Sequence, residues 1–177
     1  AGGCDGSCEG RNLRNIKVSP VPMIVGNVRF CNGSKMGAIQ PWPIFICYGS
    51  VEVVKKAITS RFKEVGSAIL LIGQRKNEFG ASAYYALFDE LGKNIPKPNL
   101  AGVEAEIWAI TDVIDASLVH ATHDISDGGV AVALSEMSFE NEIGFDIKIE
   151  QDMRNDQWLF AQTGGFILEA DKNKPFH

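Results

Sequence analysis

Several things are missing from this sequence, and each removes a class of function. The longest apolar runs, such as Ser67 to Gly73, fall far short of the roughly 20 residues that a membrane-spanning helix needs. There is no basic stripe and the formal net charge is −5, so neither a membrane nor a nucleic acid held by its phosphates is expected as a partner. No G-x-x-x-x-G-K-[ST] loop occurs, which removes the P-loop nucleotidases. No Ser-His-Asp or Cys-His arrangement for nucleophilic catalysis stands out. A charged-then-apolar leader is absent, and the chain opens at Ala1 rather than Met, as expected of a processed, tagged or truncated start.

Cysteine is scarce: Cys4, Cys8, Cys31 and Cys47. Cys4 and Cys8 are spaced C-x3-C in a Gly-rich stretch, but a metal site needs two further ligands at suitable spacing. Cys31 and Cys47 lie in apolar surroundings and read as core residues. Reduced structural cysteines are the expectation, and with them a cytoplasmic compartment. What the chain does have is 45% hydrophobic and 22% charged residues, enough apolar material for a real core.

Residues 1–20 are rich in Gly, Ser and Asn and read as a loop. Strands are expected at 22–30 and 43–48, with a turn at 32–37 between them. Residues 51–62 carry mixed signals. A buried strand is expected at 67–72. Tyr84, Leu87, Phe88 and Leu91 predict one face of a helix over 82–91, and Val103, Ile107, Ile110, Ile114 and Leu118 a helical stripe over 102–118. A short strand over 118–122 then leads to a helix over 127–139 with Ser126 as its N-cap. Strands at 145–149 and 165–170 complete the order. Strands and helices so mixed predict an α+β fold, with helices on one face of a mixed sheet.

Chemistry concentrates in His123-Asp124-Ile125-Ser126-Asp127-Gly128-Gly129, where a strand runs into a helix. A helix start leaves backbone N–H groups unpaired and carries partial positive charge, which favours anions. Gly128 and Gly129 would let a phosphate approach closely. Asp124 and Asp127 are the oxygen donors that Mg²⁺ uses together with phosphate and water. The same residues also read as a plain capped turn, with Ser as N-cap, Asp in the first turn and Gly for tight packing. A second segment, Asn77 to Ser82, could present backbone donors of Gly80 and Ala81 and the Ser82 hydroxyl to a phosphate, or be simply a capped helix start. His123 could serve in acid–base work, though a histidine at a strand end is commonly a hydrogen-bonded structural residue.

These residues carry a resemblance. HDISDGGVAVALSEMSF, residues 123–139, resembles the signature of phosphoribosylformylglycinamidine synthase, the ATP-dependent amidotransfer enzyme of purine biosynthesis. PMIVGNVRFCNGSKMGAIQPWPI (22–44), FKEVGSAILLIG (62–73), NEFGASAYY (77–85) and QTGGFILEA (162–170) are similar to further family segments in the same order. The wider superfamily includes aminoimidazole ribonucleotide synthetase, selenide water dikinase and thiamine-monophosphate kinase. The intact H-D-x-S-D-G-G string favours the purine synthase among them. There are departures: Ala81 and Ala83 replace the family's second Gly and acidic residue, Cys31 and Gly33 replace a Tyr and an acidic residue, Trp42-Pro43-Ile44 replaces a T-P-V run, and Gly165 stands where an Arg is frequent.

The resemblance implies an aminoimidazole ribonucleotide synthetase-like C-terminal domain over 59–177, incomplete, preceded by the tail of an N-terminal-type domain over 1–58. It implies the conversion of formylglycinamide ribonucleotide, ATP and glutamine-derived ammonia to formylglycinamidine ribonucleotide. The partners are a glutaminase subunit or domain and the rest of the synthetase. ATP and Mg²⁺ are the implied cofactors. His123, Asp124, Ser126, Asp127, Gly128 and Gly129 are the implied nucleotide contacts, Asp124 and Asp127 the metal ligands, and Gly80, Ala81 and Ser82 the ribonucleotide-phosphate contacts. The main catalytic region lies outside this chain, so no catalytic residue is assigned and the isolated chain is expected to be inactive. Three other readings stay open: another ATP-dependent enzyme of the superfamily, a non-catalytic half that holds a nucleotide for stability, and an interaction module with no ligand.

Overall fold

The computed structural model describes residues 33–34, 37–38, 46–150 and 152–174. The loop expected over 1–20, the strand over 22–30, residues 43–45, His177 and the surroundings of Cys4, Cys8 and Cys31 lie outside them. Internal contacts divide the chain into Ala1–Val51 and Glu52–His177. In the first unit, strands β1 (Gly33–Ser34) and β2 (Gly37–Ala38) pair antiparallel at the expected turn. Residues 46–50 are exposed and form no strand, which corrects the buried strand expected there. Cys47 is exposed with them, not a core residue.

The second unit is built on β3 (Ala68–Ile72), β4 (Val119–Asp124) and β5 (Phe166–Ala170), in the order β3-β5-β4. All three strands are antiparallel, and the mixed character expected of the sheet reduces to one parallel bridge between Thr59 and Ala121. The apolar run 68–72 does form a strand, but half-buried, because it is an edge. Helices cover both faces rather than one. On one face α3 (Gly129–Ser138) sets Val130, Ala133, Leu134 and Met137, one helical stripe, against Ala121 and Ile167. On the other, α2 (Val103–Asp115) sets Ile110, Val113 and Ile114 against Val119 and Leu168. Alternate strand residues face opposite ways, so β5, apolar at successive positions, feeds both cores.

Three elements differ from expectation. The helix expected over 82–91 is a single turn, α1 (Ala83–Ala86). Asp89 takes φ +55, and backbone bonds from Gly80 N–H to Asn94 O (2.7 Å) and Ala81 N–H to Leu91 O (2.6 Å) fold the chain back instead. Leu87, Phe88 and Leu91 are consequently exposed. Val103 and Ile107 of the expected stripe are also exposed, since the inward face of α2 is set by Ile110, Val113 and Ile114. Residues 145–149 form no ladder, although Ile147 still packs against the core. The sequence reading assigned nothing to α4 (Asn155–Phe160), which packs beside α3.

Candidate nucleotide site

Strand β4 ends at Asp124 and carries the motif to the edge of the core. Ile125 is buried and donates its N–H to Gly165 O at 2.8 Å, anchoring the turn to the start of β5. Ser126 and Asp127 are exposed. Ser126 does not cap with its side chain. The N-cap is Gly128, at φ +81, and the helix starts at Gly129, at φ +69. Both values lie where only glycine is comfortable.

At both positions an alanine would disturb the ligand-free fold itself. A Cβ on Gly129 would sit 2.6 Å from Leu159 O and 2.9 Å from Ala161 O, and one on Gly128 would collide with the Val132 side chain. Nor are these amides open donors. Gly129 N–H donates to Ser126 O at 3.1 Å. The Gln162 amide faces two backbone donors, which assigns its oxygen to that side, and in this orientation Gly128 N–H donates to it at 2.9 Å. The glycines therefore shape the turn rather than cradle an anion in this conformation.

The second segment is closed in the same way. Gly80, Ala81 and Ser82 spend their N–H groups on Asn94, Leu91 and Phe79. Ser82 is buried and its hydroxyl accepts from Tyr85 N–H at 3.2 Å, so it is a helix cap and not an exposed phosphate donor. Ala81, where the family resemblance expects glycine, holds φ +57.

The structure does bring the two segments together, through Gln162, Phe160 and Thr163. The oxygen of Gln162 that accepts from Gly128 also accepts from Ala83 N–H at 2.9 Å. Tyr84 stacks on Phe160 with ring centroids 4.8 Å apart. Thr163 donates to Glu78 at 3.1 Å. The Gln-Thr-Gly-Gly run before β5 marks this stretch in the sequence, but not what Gln162 touches.

His123 is held, not free. Its Nδ1 lies 2.7 Å from Asp124 O and its Nε2 3.2 Å from Glu136, so both ring nitrogens face oxygens and the ring braces β4 against α3. The Asp124 side chain is 65% exposed, which leaves its carboxylate open to a ligand. Among the described residues neither Asp124 nor Asp127 pairs with a lysine or arginine. Two solvent-facing carboxylates flanking one turn are the donor set that a hard cation shares with phosphate and water, so they fit Mg²⁺.

Beside the motif opens a cleft of about 770 Å³, lined by Lys76, Lys97, Asn99, Asp124, Gln162 and Gly164 among others. Arg75 donates to the carbonyl of Gly164, one of the lining residues. Burial pushes its guanidinium below the ordinary value, and its Nε and Nη1 have no partner. A second cleft, of about 830 Å³, runs along β3 and includes no residue of the 123–129 turn.

Comparison with known proteins agrees with this fold. The family described as AIR synthase related protein, C-terminal domain, matches residues 64–174. The PurL subunit of phosphoribosylformylglycinamidine synthase from Methanothrix thermoacetophila is 38% identical over 161 residues, 89% of this chain and 21% of that protein. The corresponding subunit from Prochlorococcus marinus is 36% identical over 174 residues, 93% of this chain and 22% of that protein. The chain thus spans about a fifth of the length of the curated relatives it matches. A solved structure of T. maritima PurL complexed with FGAR superposes with a TM-score of 0.54 at 18% identity, covering 68% of this chain and 22% of that one, which shows a shared fold. With an intact H-D-I-S-D-G-G turn on such a sheet, and a family match over most of its length, the chain belongs to the AIR synthase related family through that family's C-terminal domain.

Proposed function

We propose that this chain is part of a PurL-type phosphoribosylformylglycinamidine synthase, with residues 59–177 as a C-terminal-type domain and 1–58 as the tail of an N-terminal-type domain. The reaction joins ammonia, delivered from glutamine by a glutaminase partner, to formylglycinamide ribonucleotide at the expense of ATP in the cytoplasm. The observation that carries this reading is the 38% identity to a relative of that name across 89% of the chain.

In this reading Asp124 and Asp127 hold Mg²⁺, and His123 and Ser126 complete the nucleotide contact. Mg²⁺ offsets phosphate charge when bound. The chain's own residues supply the rest. Lys76 and Lys97 line the cleft beside Asp124 and can meet phosphate oxygens there, opposite the carboxylates of Asp124 and Glu106. His123 fixes the end of β4 so that Asp124 faces outward. Gln162 clamps the 80–83 turn to the 126–129 turn. Gly80, Ala81 and Ser82 remain the ribonucleotide-side turn only if their internal hydrogen bonds open when ligand arrives. Proton transfer and ammonia attack are left to residues elsewhere in the synthetase.

The test is Mg²⁺-ATP affinity of the complete synthetase carrying Asp127→Asn or Asp124→Asn. Losing a charged oxygen ligand weakens binding about tenfold or more, and these exposed positions leave the melting temperature unchanged. Unchanged affinity in both variants returns the carboxylates to the role of a plain turn.

A further inference from the structure

At the end of the sheet remote from the motif, Glu64 before β3, His120 in β4 and Asp171 after β5 converge. Glu64 Oε2 lies 3.6 Å and Asp171 Oδ1 3.7 Å from His120 Nε2, and the three atoms all lie within 4.8 Å of one another. Those separations are too long for hydrogen bonds. They are close to the roughly 3.3 Å between ligand atoms around a tetrahedral ion bound at about 2.0–2.1 Å. Glu64 Oε2 and His120 Nε2 are both shut off from solvent and neither has a hydrogen-bond partner, an unusual waste of two polar atoms that face each other.

The backbone arranges this deliberately. Val119 pairs with Ala170 and Ala121 with Glu169, so His120 is the extra residue of a β-bulge. A bulge re-aims a side chain that regular alternation would place elsewhere. Asp171 is oriented by Asn173, whose backbone N–H and side-chain amide donate to Oδ1 at 2.9 and 3.2 Å. Lys172 sits on the outer oxygen of Glu64 at 3.2 Å and Lys174 on the outer oxygen of Asp171 at 3.6 Å. Both lysines are substantially exposed, so each ammonium can swing into water when a dication takes its place.

We propose that Glu64, His120 and Asp171 form a site for a divalent transition-metal ion, best matched to Zn²⁺, with water completing a tetrahedron. The imidazole selects against Mg²⁺ and Ca²⁺, which take oxygen donors. The ion ties together the same end of all three strands, a structural clasp separate from the nucleotide turn.

The test uses the full chain, stripped of metal and with Cys4, Cys8, Cys31 and Cys47 changed to Ser so that no thiolate competes. Zn²⁺ is titrated while the melting temperature is followed, and Co²⁺ is added to read coordination number from its visible absorption. The expected result is a Zn²⁺-dependent rise in melting temperature and a four-coordinate Co²⁺ spectrum. Glu64→Gln and His120→Asn should each weaken binding at least tenfold. Lys172→Met keeps all three ligands and removes the competing ammonium, so it should bind Zn²⁺ more tightly, and it decides the matter if the ligand variants fail to fold. No Zn²⁺-induced shift, an undiminished shift in both ligand variants, or no tightening in Lys172→Met overturns the proposal.

Discussion

Gly129 carries two demands at once: a left-handed backbone at φ +69 and a neighbouring carbonyl 2.6 Å from where a Cβ would stand. The left-handed conformation alone costs a non-glycine residue about 1–2 kcal/mol. Gly129→Ala should therefore lower chemical-denaturation stability by at least about 2 kcal/mol, with a smaller loss for Gly128→Ala, whose obstacle is the movable Val132 side chain. The converse holds at Ala81, at φ +57. Ala81→Gly relieves that strain against a denatured-state cost of roughly 0.4–1 kcal/mol, so it should raise the melting temperature slightly. Glu169, fully buried, accepts from Lys63 N–H and Glu64 N–H at 2.8 Å each. Glu169→Gln turns a donor toward one of those N–H groups and should cost about 1–3 kcal/mol. The sequence pointed to the glycine pair and both aspartates, because local spacing is enough to mark a strand-to-helix turn. It could not show Gln162, whose two partners lie far away in the chain and meet it only through tertiary packing.

Among the elements, α3, β3, β4 and β5 could be read in advance because each has an apolar pattern of the right period and a packed partner. The α1 segment could not. Its apolar spacing is helical, but Asp89 and the bonds to Leu91 and Asn94 turn the chain back after one turn. Residues 145–149 alternate like a strand yet pair with none, since alternation specifies which side chains turn inward and not whether a ladder forms. Helix α4 was missed because six residues hold too little periodicity to register. Its first turn contains an ion pair that pH can probe. Arg154 donates a side-chain hydrogen bond to Asp156, and this holds the Asp156 carboxyl below its usual range. A depressed folded-state value contributes stability above the unfolded Asp value of about 3.9, and that stability is lost as pH falls through the folded value. Thermal melts from pH 6 to pH 2 should therefore show a smaller acid-induced loss in Asp156→Asn than in the parent. An identical loss in both would mean that the pair does not stabilise α4.

For the whole molecule, the sheet and its two cores explain how one end of β4 presents a carboxylate-flanked turn while the other end gathers Glu64, His120 and Asp171. The isolated chain should form no product, since no residue in it is assigned to ammonia attack, and any turnover by it would count against that division of labour. The central claim is that this domain serves amide-to-amidine conversion and not another ATP-dependent reaction of the superfamily. It is tested most directly by incubating the complete synthetase with formylglycinamide ribonucleotide, Mg²⁺-ATP and ammonia, and measuring ADP and formylglycinamidine ribonucleotide together. The account predicts that the two appear mole for mole, that neither appears without the ribonucleotide, and that Asp127→Asn reduces both equally. ADP released with a different acceptor, and no amidine product from the ribonucleotide, would contradict it.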